Sequence, residues 1–385
     1  MRINLFKIWN EKLLSGQREK LKSQGLLDKA DPTLDDRFMQ SSFEFKIPPR
    51  VKFVRSIETG EQAYSYDDLP GVVLTSEEAD VVLEVLSQLQ ENPNFYDGPQ
   101  LLVTNMVYDD SNNILEIEAR RANYSFLRAL ALKRFPDESQ LYLMQFFKTG
   151  VMTPFMTWDD KTFFLERSRD KLYSAASGFL EPFGPEKLLN PDGSDIVVRT
   201  AIQESLEEIL GCDGGMKSEV SYSTPQISSL SIRQTENGLG TAEFIAPMFV
   251  NCHSHKIQNI LRNNTARDRG EHSEQFQVVS IDPRERVDAE KFLETALPGN
   301  FLYHPMIASV VRQANNFTHG DTISRTLPCS RTTIIPLESL GVSPRALTWQ
   351  MDNTKKEVLS RVGDVYEDQM LRTSKGSSHI HNVKL

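Results

Sequence analysis

Cysteine is scarce. Cys212, Cys252 and Cys329 are the only three in 385 residues, and no CxxC pair occurs. An odd, scattered set argues against a disulfide framework and suits a reducing compartment. Long apolar runs are missing too: no stretch approaches the roughly 18 residues that span a bilayer. The opening "MRINLFKIWNEKLL" scatters charge where a secretory leader has an apolar centre. These absences set the expectation of a cytoplasmic chain with no membrane partner. Positive charge is also short, with Lys+Arg 43 against Asp+Glu 53 and a net charge of -10. Without a broad basic field, nucleic acid is a poor partner, although a local phosphate pocket remains open. An acidic chain that handles phosphates usually does so through a bound cation.

What is present is an ordinary globular composition, long enough for two or three domains or one domain with additions. Residues 1–50 carry apolar residues at loose helical spacing and end at "KIPPRV", which predicts one or two peripheral helices and a linker. In "LTSEEADVVLEVLSQLQ", Thr75 and Glu78 form a capping box ahead of an apolar stripe. Beyond residue 90 the period changes. Asp109 to Asn113 supply hairpin turn chemistry, a short helix follows at "YSFLRALALKRF", and "LYLMQFFKTGVMTPFMTWDDKTFFLERS" reads as strand, turn and strand. "RDKLYSAASGFLEPFGPEKLLNPDGSD" reads as loop. "QISSLSIRQ" and "GTAEFIAPMFV" are strand candidates, followed by a polar loop and "EQFQVVSIDP". Residues 301–385 form a mixed extension with a polar tail.

Between these strands stands "QESLEEILG". A helix begins after a cap at Ser194 or Asp195, and Gly211 stops it. Glu204 and Glu208 are one turn apart on one face, with Glu207 alongside. Like charges at that spacing cost a few tenths of a kcal/mol per pair in an isolated helix, roughly 0.2–0.5. A solvated face tolerates that cost. A hard cation such as Mg²⁺ would use it, because carboxylates from one turn supply part of an octahedral oxygen shell.

The setting of this helix resembles the Nudix hydrolases. "SGFLEP" would open the family's box at Gly178, with Glu181 at an acidic position in its loop, and Glu204, Glu207 and Glu208 would be the helix glutamates. Counting back seven residues from Gln203 reaches Asp195, where the family has Glu. Gln203 stands where the family has Arg, and Leu210 stands at the glycine position, with Gly211 one residue late. Sixteen residues separate Gly178 from Asp195, an insertion of about eleven on the family's five. The order "NFYDGPQLLV", "TGVMTPFMTWDDKTFFLERS", "SGFLEP" is similar to the branch acting on UDP-sugars. Arg167 matches the second Arg of that branch's hairpin, Glu166 replaces the first, and Ser177 replaces one box glycine.

The resemblance implies an α+β fold: a Nudix-like α/β/α sandwich with a mixed sheet over residues 91–300, a helical N-terminal extension over 1–90 and the C-terminal extension. It implies hydrolysis of a nucleoside diphosphate derivative with Mg²⁺ or Mn²⁺, a UDP-sugar first and an ADP-ribose-type compound as an alternative. Glu204, Glu207, Glu208 and the carbonyl of Gly178 would be metal ligands. The three glutamates would also be the catalytic set. Arg167 and Glu181 would bind substrate, and Glu271 or Glu274 could be a downstream base. The competing reading is a Nudix-fold module that binds a nucleotide or a protein without cleavage. His253 and His255, beside Cys252, would share one face on a strand but lack the further ligands of a zinc site.

Overall fold

A computed structural model describes residues 1–9, 40–45, 47–93, 95–136, 139, 143, 145–157, 159, 161–167, 173–182, 194–212, 217–218, 220–234, 240–263, 272–280 and 333–336. Among them, no helix is long and apolar enough to cross a membrane.

The first elements are β1 (Arg2–Asn4), α1 (Leu5–Ile8), β2 (Gln40–Glu44), β3 (Arg50–Ser56), β4 (Glu61–Gln62) and α2 (Ser76–Leu89). Then come the β5 (Pro99–Asp109) and β6 (Ile114–Asn123) hairpin and α3 (Tyr124–Ala131). The chain continues through β7 (Phe147–Thr153), β8 (Phe155–Met156), β9 (Lys161–Arg167), β10 (Tyr173–Ser174) and β11 (Ala176–Phe179). The glutamate helix α4 (Ser194–Ser205) runs into a π turn at Leu206–Leu210, followed by β12 (Gly211–Cys212) and β13 (Lys217–Ser218). The last elements are β14 (Ser229–Gln234), β15 (Gly240–Ile245), β16 (Met248–Phe249), α5 (Ser254–Arg262), β17 (His272–Ser280) and β18 (Thr333–Pro336).

Eleven strands form one mixed sheet in the order β18-β2-β14-β15-β7-β5-β6-β3-β4, with β1 added on β5 and β11 on β7. β15 runs parallel to β7, β3 to β6 and β18 to β2; the other pairs are antiparallel. Alternation along β5 shows why helices cover both faces. Leu101 and Val103 join α1 and the first half of α4 in one core, through Leu5, Phe6, Ile196, Val197 and Ala201. Leu102 points the other way, into a core with Val85 of α2 and Phe126, Leu127 and Leu130 of α3. The Thr75–Glu78 capping box forms as the sequence predicts, with Glu78 accepting from the Thr75 backbone at 2.7 Å. The Asp109–Asn113 turn also forms, with Asn113 in the left-handed region at φ 53.

Several expectations are corrected. The first nine residues are not peripheral: β1 pairs with β5, and Leu5, Phe6 and Trp9 are buried in the main core, while residues 10–39 of the expected helical segment lie outside the described residues. The turn before β9 forms where the sequence places it, with Thr157 N donating to Lys161 O at 3.0 Å. The strand ahead of it is broken at Pro154: β7 stays in the main sheet, β8 pairs with β16, and β9 lies in a separate sheet of order β10-β9-β17. "YSAASGF" is not loop but β10 and β11, the latter paired with β7 from Ala176↔Thr153 to Phe179↔Gly150. The polar segment after β16 contains α5, whose Ile257, Ile260 and Leu261 pack inward at helical spacing.

Two contacts give direct stability tests. A Cβ on Gly240 would come within 2.6 Å of the Phe147 ring. That ring is wedged edge-on against Phe6 and Trp9, with centroids 4.8 and 5.5 Å away. Gly240→Ala is expected to cost about 1–3 kcal/mol by overpacking, read as a lowered urea midpoint. Asp159 caps α5 from a distant turn, accepting from Ser254 N at 2.8 Å and Ser254 Oγ at 2.5 Å. Burial pushes its carboxyl up, but the bonds from Ser254 and Thr157 outweigh that and hold it below the usual range. Because the folded value is depressed, the contribution is complete above the ordinary Asp range near pH 4 and fades as pH falls through the folded value. Asp159→Ala should cost about 1–2 kcal/mol at pH 7, typical of a lost cap. The difference from the parent chain should shrink in acid melts.

Candidate functional site

The glutamate helix is held where it is because it bridges two cores. Its first half packs under the main sheet through Ile196, Val197 and Ala201. From Ile202 onward, Leu206, Ile209 and Leu210 pack with Phe163 and Leu165 of β9, Tyr222, and Ile257 and Ile260 of α5. Leu210, at the position where the resemblance has glycine, is fully buried in that second core. The helix does not end in a left-handed glycine cap either. Gly211 is extended, at φ -77 and ψ 156, and starts β12.

The π turn explains the late glycine. A π turn closes i→i+5 bonds and holds one residue more than an α turn. The extra residue in "LEEIL" is absorbed inside the helix, so Gly211 still marks the exit. The same turn carries Glu207 and Glu208, which are 7% and 4% exposed. These are not solvated surface charges.

Three side-chain placements define the site. Glu204 lies against Gly178 of β11: a Cβ at Gly178 would fall on the Glu204 carboxyl and 2.6 Å from its Cγ. Glu208 Oε2 accepts from the backbone N–H of Ser177 at 3.1 Å. Gln203 Nε2 donates to Glu207 Oε1 at 3.1 Å. Gln203 thus orients the neighbouring glutamate with a neutral amide in place of a guanidinium. Arg199 sits one turn before Gln203 on the same helical face, with Nε and Nη2 shut off from water.

Burying ionised carboxylates side by side costs several kcal/mol per group unless positive charge compensates. That is the physical case for a cation. Among the described residues, no three His, Cys, Asp or Glu side chains converge as a metal cage. Mg²⁺ rarely needs one, since it is commonly bound through one or two carboxylates with waters and substrate phosphates completing the shell. Glu204 and Glu208, brought to adjacent residues of one strand beside a side-chain-free glycine, fit that donor set.

The remaining predicted residues separate into two places. Glu181 lies just past β11, half-buried, and accepts from Gln100 Nε2 at 3.0 Å. Burial raises its carboxyl above the usual range, opposed by the Gln100 amide. Arg167 ends β9, with its backbone opposite His272 of β17. Glu274 lies in the irregular start of β17, between His272 and Phe276, so its backbone shares that end of the small sheet with Arg167. Glu271 and the side chains of Arg167 and Glu274 fall outside the described residues, as do the side chains of Ser194 and Asp195. The carbonyl of Gly178 points toward Gly150, 2.9 Å from where a Cβ would stand.

Glu243 and Lys148 were not singled out by sequence. Glu243 of β15 is opposite Gly150 and packs its Cγ 3.5 Å from the same Cβ position, one strand away from Gly178. Lys148 Nζ lies 4.2 Å from the centroid of Phe179, the residue after Gly178. Their only sequence signal was a charge within a strand, which needs the sheet order to acquire meaning. His253 and His255 flank the start of α5 with rings 5.9 Å apart, on a helix rather than a strand. Burial pushes the neighbouring Cys252 thiol up to about 11, which leaves it inert near neutral pH.

No family model matches the chain, and no curated protein matches it. Among solved structures it is similar to a C. elegans Ap4A hydrolase in a binary complex, at 13% identity and a TM-score of 0.24, covering 45% of this chain and 99% of that one. It is also similar to a NUDIX hydrolase from Nitrosomonas europaea, at 14% identity and a TM-score of 0.22, covering 37% of this chain and 79% of that one. At such low TM-scores these likenesses decide nothing about chemistry, which rests on the residues themselves.

Proposed function

We propose that this chain is a Nudix-type pyrophosphohydrolase that cleaves the diphosphate of a nucleoside diphosphate linked to another group, with a UDP-sugar as the first candidate. One observation carries the reading: Glu204 and Glu208 leave the helix for adjacent residues, Gly178 and Ser177, of one strand. A merely acidic surface helix would point them at water. Mg²⁺ or Mn²⁺, held by Glu204 and Glu208, would neutralise charge on the phosphoryl oxygens and acidify a water. The Ser177 N–H fixes Glu208, and Gly178 leaves room for Glu204. Glu207, steadied by Gln203, is the carboxylate that takes the proton as water attacks phosphorus. The anhydride P–O bond breaks, and its electron pair stays on the leaving oxygen.

The test is incubation with UDP-glucose, ADP-ribose and related compounds plus Mg²⁺ or Mn²⁺, reading released nucleoside monophosphate. If none is released from any compound, the hydrolase reading fails. A second reading is favoured by Gln203, which sets a neutral amide on Glu207 where the resemblance has a guanidinium: a module that binds a nucleotide or a protein without cutting a diphosphate. The two readings differ in a melt. A working cation site raises the melting temperature with Mg²⁺ in proportion to occupancy, whereas a module without one is indifferent.

A further inference from the structure

Thr149 marks a fork in the main sheet. β5 pairs with the start of β7 at Phe147 and Lys148, and β11 pairs with the same strand from Gly150 onward. At the split, Thr149 Oγ1 donates to Leu101 O at 2.8 Å while Thr149 O accepts from Leu180 N at 3.0 Å. The Gln100–Glu181 hydrogen bond spans the opening.

Gly98 joins an aromatic ring to that pair. The point where its Cβ would stand is 3.2 Å from Tyr96 Cε1 and 3.4 Å from Glu181 Oε1. Tyr96 is 65% exposed, an unusual position for a ring packed beside a half-buried carboxyl. Its loop is fixed rather than loose. Asp97 accepts from Ser125 N at 2.7 Å, Ser125 Oγ at 2.9 Å and Asn123 Nδ2 at 3.1 Å, which ties the loop to the start of α3. A ring carried on a backbone fixed in this way loses less freedom when a ligand stacks on it. Glu181 is three residues beyond Gly178, roughly 10 Å along an extended chain. Lys148, over Phe179, sits within that stretch.

We infer that this fork is the nucleobase subsite, in which Tyr96 offers the stacking face, the Glu181–Gln100 pair reads an N–H on the base edge, and Lys148 lies on the phosphate side. The ligand class is a planar heterocycle with at least one ring or exocyclic N–H, carried on a ribose phosphate. The inference rests on the proposed hydrolase for that class, but base binding needs no turnover.

The test is calorimetric titration of the full chain, in metal-free buffer, with UMP, AMP, GMP and ribose 5-phosphate. At least one nucleotide should bind about tenfold more tightly than ribose 5-phosphate, in line with single-base stacking. Tyr96→Ala should erase that margin and Tyr96→Phe should keep it. Glu181→Gln should weaken the preferred nucleotide about tenfold and leave ribose 5-phosphate unchanged. Equal binding of all four compounds, or an unaltered margin in Tyr96→Ala, overturns the subsite. A chain that discriminates bases yet releases no monophosphate keeps the subsite and loses the hydrolase.

Discussion

Glu208→Gln is expected to slow diphosphate hydrolysis about 10²–10⁴-fold, the scale of a lost acid–base or cation-holding carboxylate. In metal-free buffer the same chain should melt no lower than the parent. The substitution keeps the shape of a side chain that is 4% exposed. The amide oxygen of the replacement can still accept from Ser177 N, so the strand–helix link survives. What disappears is one of two adjacent buried negative charges, and that relieves repulsion with Glu207. Mg²⁺ should raise the melting temperature of the parent and do so much less in the variant. Measured turnover of the best compound in the screen, with paired melts, separates the outcomes. Parent-like turnover in Glu208→Gln would falsify its assigned role.

The second large effect belongs to a residue that has no side chain. Gly178→Ala should lower turnover about 100-fold or more, while costing at most about 1–3 kcal/mol of stability. The added Cβ would stand on the Glu204 carboxyl, and the three nearest atoms it meets all belong to the Glu204 side chain. That chain is flexible and can swing aside, so the fold tolerates the change. It cannot swing aside and remain beside Glu208 over β11. Gly178 is not in the left-handed region, so backbone strain plays no part. Comparable losses in turnover and in stability would instead mark Gly178 as a packing residue.

The sequence made the helix glutamates visible because they sit next to one another in the chain. It also revealed α2 and the β5–β6 turn, where local chemistry decides the outcome: a Thr75 cap and an Asn113 able to take positive φ. It hid β11. "ASGF" is three small residues closed by one ring, and only pairing with β7 makes it a strand. It hid the buried N-terminus, because Leu5, Phe6 and Trp9 look like a loose helical stripe until Phe147 packs on them. The helix's departures from the pattern it resembles are accommodated locally. Gln203 bonds Glu207, Leu210 fills the second core, and the displaced glycine follows from the π turn. Tyr96 and Gln100 meet Glu181, and Lys148 meets Phe179, only through the fold, which no local pattern encodes.

The start of β11 reaches Glu208 through Ser177, its middle seats Glu204, and its continuation delivers Glu181 to the fork. On the proposed function and base subsite, the reacting end and the reading end of a bound molecule would be measured off by one short ruler of backbone. Compounds whose base and scissile phosphate are spaced to that ruler engage both ends at once. A longer or shorter spacer has to let go of one. Inserting a residue between Phe179 and Leu180 should leave the helix glutamates working and make the chain indifferent to which base its substrate carries.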